Sequence, residues 1–507
     1  MNKLLNIIPT LNVFAMIAAA AFGFIGAMQP SFGDTPAKAP AAEAVNQLWR
    51  DSGLSAFERT EALLKAMTKE EKVALAAAVD PKDFASLEHL GIPPLTRVDA
   101  SCGLRGDTGV TAFPVPLAIA ASFDEGLATK IGAAIGEEAR GKGWNVILGP
   151  TLDIARSPLC GRLTEAFGED PILSGVFGAK IAAAMQSRYI ISMLKHFTVY
   201  NQETDRMVLN VLVSERTMRE LYNVPFLSAV EAGGADAVMA SYPKVNGVFD
   251  CENKNILDAL RAEPRFRGYI ATDDAAGEDL VAQINAGVDS WAFQHGEFPR
   301  KAFFDGRISV ERLDDATRRV LFATFKNGLF DNPLPSKIAT VVTTPEHRQL
   351  ALQAAEEATV LLKNVGNLLP LAKARSIAVI GPAGMDLVTG VQGSSYVNPG
   401  DFTTPVDAIR AAAGEAATVL VAQGSLGDVV LPSVPASALI TSQGKPGVQV
   451  DLFDNADLSG PPLLTTAGGS IDLPPTDECS GNTSEKAGWI CQSNPEGGRA
   501  EGGKNQC

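Results

Sequence analysis

The stretch GYIATDDAAGED, residues 268–279, places two adjacent carboxylates, Asp273 and Asp274, directly behind the short apolar run Tyr269, Ile270 and Ala271. Acids just past the C-terminal end of a buried parallel strand face the pocket of an alternating strand–helix barrel, so this pattern points to a catalytic carboxylate. An Asp that only caps the following helix gives the same pattern. Four further stretches bear on the choice: RVDASCGLRGD at 97–107, GRLTEAFGEDP at 161–171, LKHFTVYNQETDR at 194–206 and DAVMASYPKVNG at 236–247. Together they supply acids, arginines, a lysine, a histidine and a tyrosine. A pyranose needs such a set. Its hydroxyls are recognised by rigidly held charged donors and acceptors, and an oxocarbenium-like transition state needs a carboxylate against the anomeric carbon.

From about residue 43 to 335, apolar runs alternate with Ala-rich helical patterns, which predicts repeated strand–helix units around a parallel sheet. Polar tips recur behind the runs: Asp99, Asp153, Lys195 with His196, Ser241 with Tyr242, Asp273 and Asp289. Six such tips suggest one shared pocket on one face of a barrel. Between them, residues 126–140 repeat Leu127, Ile131 and Ile135 at helical spacing, the pattern of an outer-ring helix. Gly328, Pro333 and Pro335 mark a boundary, after which RQLALQAAEEATVLLKN predicts a helix running into a strand. SIAVIGPAG, at 376–384, opens a second α/β domain with too few alternating units to close a layered sheet before residue 443. Residues 447–473 have the pattern of an all-β module, and the Gly-, Ser-, Asn- and Glu-rich remainder is expected to be disordered.

The segments expected are therefore an export signal at 1–33, a barrel at 43–335, a linker at 336–370, a partial α/β sandwich at 371–445, the start of a β-sandwich at 446–475 and a tail at 476–507. The signal rests on Lys3 ahead of an apolar stretch that ends in small residues near Ala27 and Gly33; an uncleaved membrane anchor is the alternative. Acidic residues outnumber basic ones by 58 to 43, a formal charge of −15, which argues against nucleic acid or an anionic lipid surface as partner. A neutral substrate fits better. The four histidines, His89, His196, His295 and His347, lack the spacing of a metal site, so neither zinc nor another cofactor is expected. Six cysteines form no CxxC pair and specify no disulfide framework.

On the five motifs quoted, the chain from about residue 50 to 420 resembles glycoside hydrolase family 3. The resemblance implies a retaining, exo-acting β-glucosidase with a (β/α)8 TIM-like barrel followed by an α/β sandwich. It implies Asp273 as the nucleophile, in a TDD where the family usually has Ser-Asp-Trp. It further implies that Asp99, Arg162, Lys195, His196 and Arg206 bind the hydroxyls of the terminal sugar, with Tyr242 beside the nucleophile. ATVLLKNVGNLLPL, at 358–371, resembles the bridge into the family's second domain, and SIAVIGP that domain's first strand. The KHF segment lacks the Gly-His-Gly run of the family's N-acetylglucosaminidases, which favours glucosides over amino sugars.

Two departures qualify the resemblance. Asp274 replaces the usual Trp, removing an aromatic wall and setting a second carboxylate beside the first. The stretch after 447 resembles the start of a protective-antigen-type β-sandwich, a sugar-binding insert that stops after some 30 residues. In relatives with that insert the general acid/base lies beyond it, so it is expected to be missing here, with a tail that reads as out of frame. The expected function is retaining β-glycosidase; the alternative is a sugar-binding remnant.

Overall fold

In the computed structural model of the protein, residues 47–77, 81–291, 298–371, 374–385, 393–425, 436–441, 444–453, 459–462, 464–468 and 488–492 are described. The expected export signal lies outside them. Among the described residues, no helix is long and apolar enough to cross a membrane.

The strands of the first part are β1 (Arg97–Asp99), β2 (Val146–Thr151), β3 (Ile191–Phe197), β4 (Asn210–Val211), β5 (Ala237–Ala240), β6 (Lys244–Val245), β7 (Val248–Phe249) and β8 (Tyr269–Thr272). β1, β2, β3, β5 and β8 form one parallel sheet in that order, and a parallel bridge from Ala271 to Ser290 extends it by one position. The short strands β4, β6 and β7 form a separate sheet outside it. Parallel order with a helix between successive strands makes this part TIM-barrel-like.

Successive residues of each main strand point to opposite faces, and both faces are buried. Val146 and Leu148 of β2, Ile191 and Met193 of β3, and Tyr269 and Ala271 of β8 join one core cluster. Ile147, Leu194 and Ile270 join the other, against helix residues such as Leu127, Ile131, Phe177 and Phe226. Gly268 allows β8 to start against β5, because a Cβ there would lie 1.8 Å from the Asp236 carbonyl oxygen.

The helices begin where capping chemistry stands. Ser55 with Glu58, and Thr68 with Glu71, form capping boxes, while Asp124 and Asp170 accept the first free N–H groups of helices Glu125–Gly141 and Pro171–Gln186. Glu125–Gly141 is the helix expected at 126–140. Its Gly132 lets the two helices meet closely, since a Cβ would fall 2.7 Å from the Ile181 carbonyl oxygen.

Past helix Val310–Lys326, the expected linker contains a docked helix, Pro345–Ala358. Its His347 donates from Nδ1 to buried Glu138 Oε1 at 2.8 Å, and Glu138 also holds the Thr111 backbone N–H. The strand expected to follow is a correction: Thr359–Lys363 pairs with no strand among the described residues, and Val360, Leu361 and Leu362 are exposed. An extended run becomes a strand only where a neighbour takes its N–H and C=O groups, and the second domain's described strands, β9 (Ser376–Ile380) and β10 (Thr418–Ala422), pair with each other. Helix Pro405–Ala413 lies between them in the chain, a single parallel βαβ unit.

A last antiparallel sheet has the order β12 (Leu464–Gly468), β11 (Val448–Phe453), β13 (Gly488–Gln492). The strand β13 falls in the tail expected to be disordered. The run Trp489, Ile490 and Cys491 is its apolar exception, and it supplies a strand that pairs along the edge of β11.

Candidate active site

The C-terminal tips of β1, β3, β5 and β8 open onto one cavity of about 810 Å³, within the ~300–1,000 Å³ usual for small-molecule sites. All seven residues expected at the site line it: Asp99, Arg162, Lys195, His196, Arg206, Tyr242 and Asp273. Of the six polar tips two do not: Asp153, which instead accepts from His196 Nδ1 behind the wall, and Asp289. Asp289 is the one held wholly apart from the site. It is fully buried, accepts from Arg261 Nη1 at 3.1 Å, Arg312 Nη2 at 2.7 Å and the Ile270 N–H at 2.9 Å, and so clamps β8 rather than facing substrate. A backbone N–H and two guanidiniums answer its charge completely, which apolar–polar alternation alone does not reveal.

The cavity wall is a chain of answered charges. Lys195, buried on β3, donates to Asp99 Oδ1 at 2.6 Å, and Arg105 donates to Asp99 Oδ2 at 3.0 Å. Burial opposes the charge on Asp99, but the Lys195 ammonium and the Arg105 guanidinium more than offset it and hold the carboxyl below its usual range. Arg162 makes a two-pronged bond to Glu165, 3.0 Å on each arm, and lies 3.6 Å from Glu203. Burial likewise opposes the charge on Glu165, and Lys195 and Arg162 overcome it, so this carboxyl too stays low. Arg206 donates to Glu203 at 3.0 Å while its guanidinium stacks 4.3 Å above the Tyr242 ring.

His196 sits among these groups with its tautomer fixed by its neighbours. Arg162 Nη2 lies 3.2 Å from Nε2, and because a guanidinium only donates, Nε2 must accept. The ring proton is therefore on Nδ1, donated to Asp153 Oδ2 at 2.7 Å. Burial, with the charges of Arg162, Lys195 and Arg206, pushes the His196 pKa well down, so the ring is neutral. Burial pushes Asp153 up, against the pull of Arg162.

Asp273 ends β8 with Oδ2 3.4 Å from His196 Nε2 and Oδ1 accepting the Asp274 backbone N–H at 2.7 Å. Burial raises its pKa, opposed by that N–H, by the positive charge of Lys195 and by a hydrogen bond from Tyr242. Tyr242 is raised in turn by burial and by the Asp273 charge, so its phenol stays a donor. A partly buried carboxylate with donors on its flanks and no cation in direct contact suits nucleophilic attack on a sugar carbon. Among the described residues no group of three or more His, Cys, Asp or Glu side chains could hold a metal ion. Cys102, Cys160 and Cys251 are free thiols.

Arg105, Glu165, Glu203 and Asp274 also line the cavity, although none was singled out as a sugar-site residue from sequence. Their signal was spacing: Glu165 follows Arg162 by three residues and Glu203 precedes Arg206 by three, each pair inside a motif already marked as chemical. Gly393 and Ser394 bring the second domain to the cavity. Their segment is strapped down by an antiparallel bridge from Arg105 to Val397 and by Cys102 Sγ donating to the Ser395 carbonyl at 3.1 Å. No sequence pattern announced this contact between regions almost 300 residues apart.

The family models for the glycosyl hydrolase family 3 N terminal domain and C-terminal domain match residues 56–321 and 359–485. The chain is 33% identical over 418 residues to beta-glucosidase B of Emericella nidulans, covering 79% of this chain and 49% of that protein. It is 34% identical over 381 residues to thermostable beta-glucosidase B of Acetivibrio thermocellus, covering 71% and 50%. Among solved structures, beta-glucosidase 3B from Thermotoga neapolitana in complex with alpha-D-glucose is similar, with a TM-score of 0.66 and 29% identity over 71% of this chain and 55% of that one. Beta-D-glucoside glucohydrolase from Trichoderma reesei gives 0.66 and 30% over 73% and 57%. The chain thus spans about half the length of the curated relatives it matches.

Proposed function

Because this chain belongs to glycosyl hydrolase family 3, we propose that it is a β-glucosidase-like retaining glycosidase that attacks terminal β-D-glucosyl residues through Asp273. The observation that carries the reading is the position of the Asp273 carboxylate, at a strand tip inside a cavity where Asp99, Glu165 and Glu203 are each paired with a lysine or an arginine. Asp99, Lys195, Arg162, His196 and Arg206 hold the sugar hydroxyls, and Tyr242 steadies the nucleophile. In the first step an Asp273 oxygen attacks the anomeric carbon as the bond to the leaving-group oxygen breaks, giving a glycosyl ester. Water then breaks that ester with net retention. Export to an extracytoplasmic compartment, on the strength of residues 1–33, belongs to the same proposal.

The second carboxyl of a retaining pair is the weak link. Its role is to protonate the leaving group and then to activate water, which calls for a carboxyl that exchanges its proton near the working pH. Asp99 and Glu165 are held low by their cationic partners, and the described part of the second domain brings Gly393 and Ser394 to the cavity, neither of them acidic. We therefore propose that the chain carries a nucleophile without an efficient acid/base. A sugar-binding remnant is the second reading, favoured by the same observation that Gly393 and Ser394, the described second-domain residues lining the cavity, carry no carboxyl.

A dinitrophenyl β-glucoside, whose leaving group needs no acid, separates the two. The crippled enzyme gives a burst of about one equivalent and then stalls, azide restarts turnover with formation of β-glucosyl azide, and cellobiose is inert. Asp273→Asn removes the burst, since a neutral amide cannot attack. Steady cellobiose hydrolysis would overturn the missing acid/base, and a burst that survives Asp273→Asn would overturn the nucleophile. Glucose binding with neither burst nor azide rescue would establish the remnant.

A further inference from the structure

We propose that Asp274 makes the leaving-group side of this cavity selective for cationic aglycones, an inference that rests on the β-glucoside reading above. Five acidic side chains line the cavity: Asp99, Glu165, Glu203, Asp273 and Asp274. Four are answered by partners. Asp99 is bound by Lys195 and Arg105, Glu165 by Arg162, Glu203 by Arg206, and Asp273 by Tyr242 and the Asp274 backbone N–H. The Asp274 carboxylate is exposed and, among the described residues, has neither an ion pair nor a side-chain hydrogen bond. Its backbone N–H is fixed to Asp273 Oδ1 at 2.7 Å, which ties its place to that of the nucleophile.

An exo-acting site holds the glucosyl ring innermost, against the paired charges, and directs the aglycone outward to solvent. Asp274 is the exposed member of the carboxylate pair, which assigns its charge to the solvent side of the cavity, where an aglycone would leave. An unanswered carboxylate several ångströms from a passing group attracts an ammonium and repels a carboxylate, modestly in a solvated mouth and less as salt is added. An amine-bearing aglycone fits this wall, and a uronate or phosphorylated one does not.

S-linked glucosides test the inference without turnover. Calorimetry compares 4-(trimethylammonio)phenyl β-D-thioglucoside with its neutral isostere, 4-tert-butylphenyl β-D-thioglucoside, alongside glucose. The ratio of cationic to neutral affinity should fall about three- to tenfold in Asp274→Asn and invert in Asp274→Lys, and the advantage should collapse in ~1 M NaCl. The same ratio in wild type and both variants, with glucose still bound, overturns the role of Asp274 and leaves the glucoside reading intact. Failure of wild-type protein to bind glucose or any thioglucoside overturns the glucoside reading, and this inference with it.

Discussion

Strands β3 and β9 are both apolar runs in parallel sheets, yet every residue of β3 is buried and none of β9 is. Their compositions do not explain the difference: ISMLKHF even carries two titratable residues, while SIAVI carries none. Their surroundings do. The sheet containing β3 has five strands and helices packed on its outer face, whereas β9 pairs only with β10 among the described residues. Ile380 of β9 is 70% exposed and Leu420 of β10 58%, and Val360, Leu361 and Leu362 are exposed as well. A hydrophobic run thus records what a strand would bury, not what it finds to bury against. Chemistry follows the same division, since the site gathers at the tips of the sheet that is packed on both faces, where a rigid scaffold holds side chains in place.

Truncation of matched residues in the two regions is the sharpest way to break this comparison. Ile270→Ala in β8, fully buried between sheet and helices, should cost about 2–5 kcal/mol by denaturant unfolding. Ile380→Ala in β9 should change stability by less than about 0.5 kcal/mol, as an exposed surface change does. Equal costs at the two sites would mean that the face of β9 is covered in solution, and the contrast between the regions would vanish.

What the sequence made legible follows this contrast. Strand–helix alternation and the strand tips located Asp273, Lys195, His196 and Asp99, because a barrel ties position along the chain to position in space. Arg162 and Arg206, carried by the family resemblance, lie on long loops, where no periodicity places a side chain. Their partners Glu165 and Glu203 went unmarked because an i,i+3 acid reads equally as a solvated surface pair. Asp289 was misplaced for the converse reason: a buried carboxylate answered by Arg261 and Arg312 has the same local pattern as one facing substrate. The Val397 strap and the docking of helix Pro345–Ala358 depend on contacts across more than 200 residues. The expected strand after that helix failed because pairing needs a partner, which apolar content does not provide.

Within the packed region, the next effect in size is on sugar recognition. Lys195 is buried and its ammonium spans β3 and β1 to reach Asp99, so Lys195→Ala removes a charged donor that a hydroxyl would otherwise meet. Glucose affinity should weaken by about 1.5–3 kcal/mol, the scale of a hydrogen bond to a charged group. Calorimetric titration giving an unchanged affinity would make Lys195 a strut between strands and nothing more.

The smallest effect lies at the seam between the two regions, where helix Pro345–Ala358 is pinned by His347. A hydrogen bond to Glu138 raises the imidazole pKa above its usual 6.5, with the Glu138 and Glu137 charges adding to the effect against partial burial. A raised histidine pKa means that the folded state prefers the protonated ring, so the contribution is complete below 6.5 and is lost as pH rises through the folded value. Glu138 cannot swing away to follow a neutral ring, because its other oxygen holds the Thr111 N–H at 2.8 Å. Amides in the middle of the helix should therefore exchange about two- to fivefold faster, after correction for intrinsic rates, as pH rises from below 6.5 into the alkaline range. Amides of helix Glu125–Gly141 should hold steady, since that helix is also packed against Pro171–Gln186 through Gly132. His347→Gln keeps a donor but cannot titrate, and should flatten the dependence. A dependence that persists in the variant would move the titrating group elsewhere in the seam.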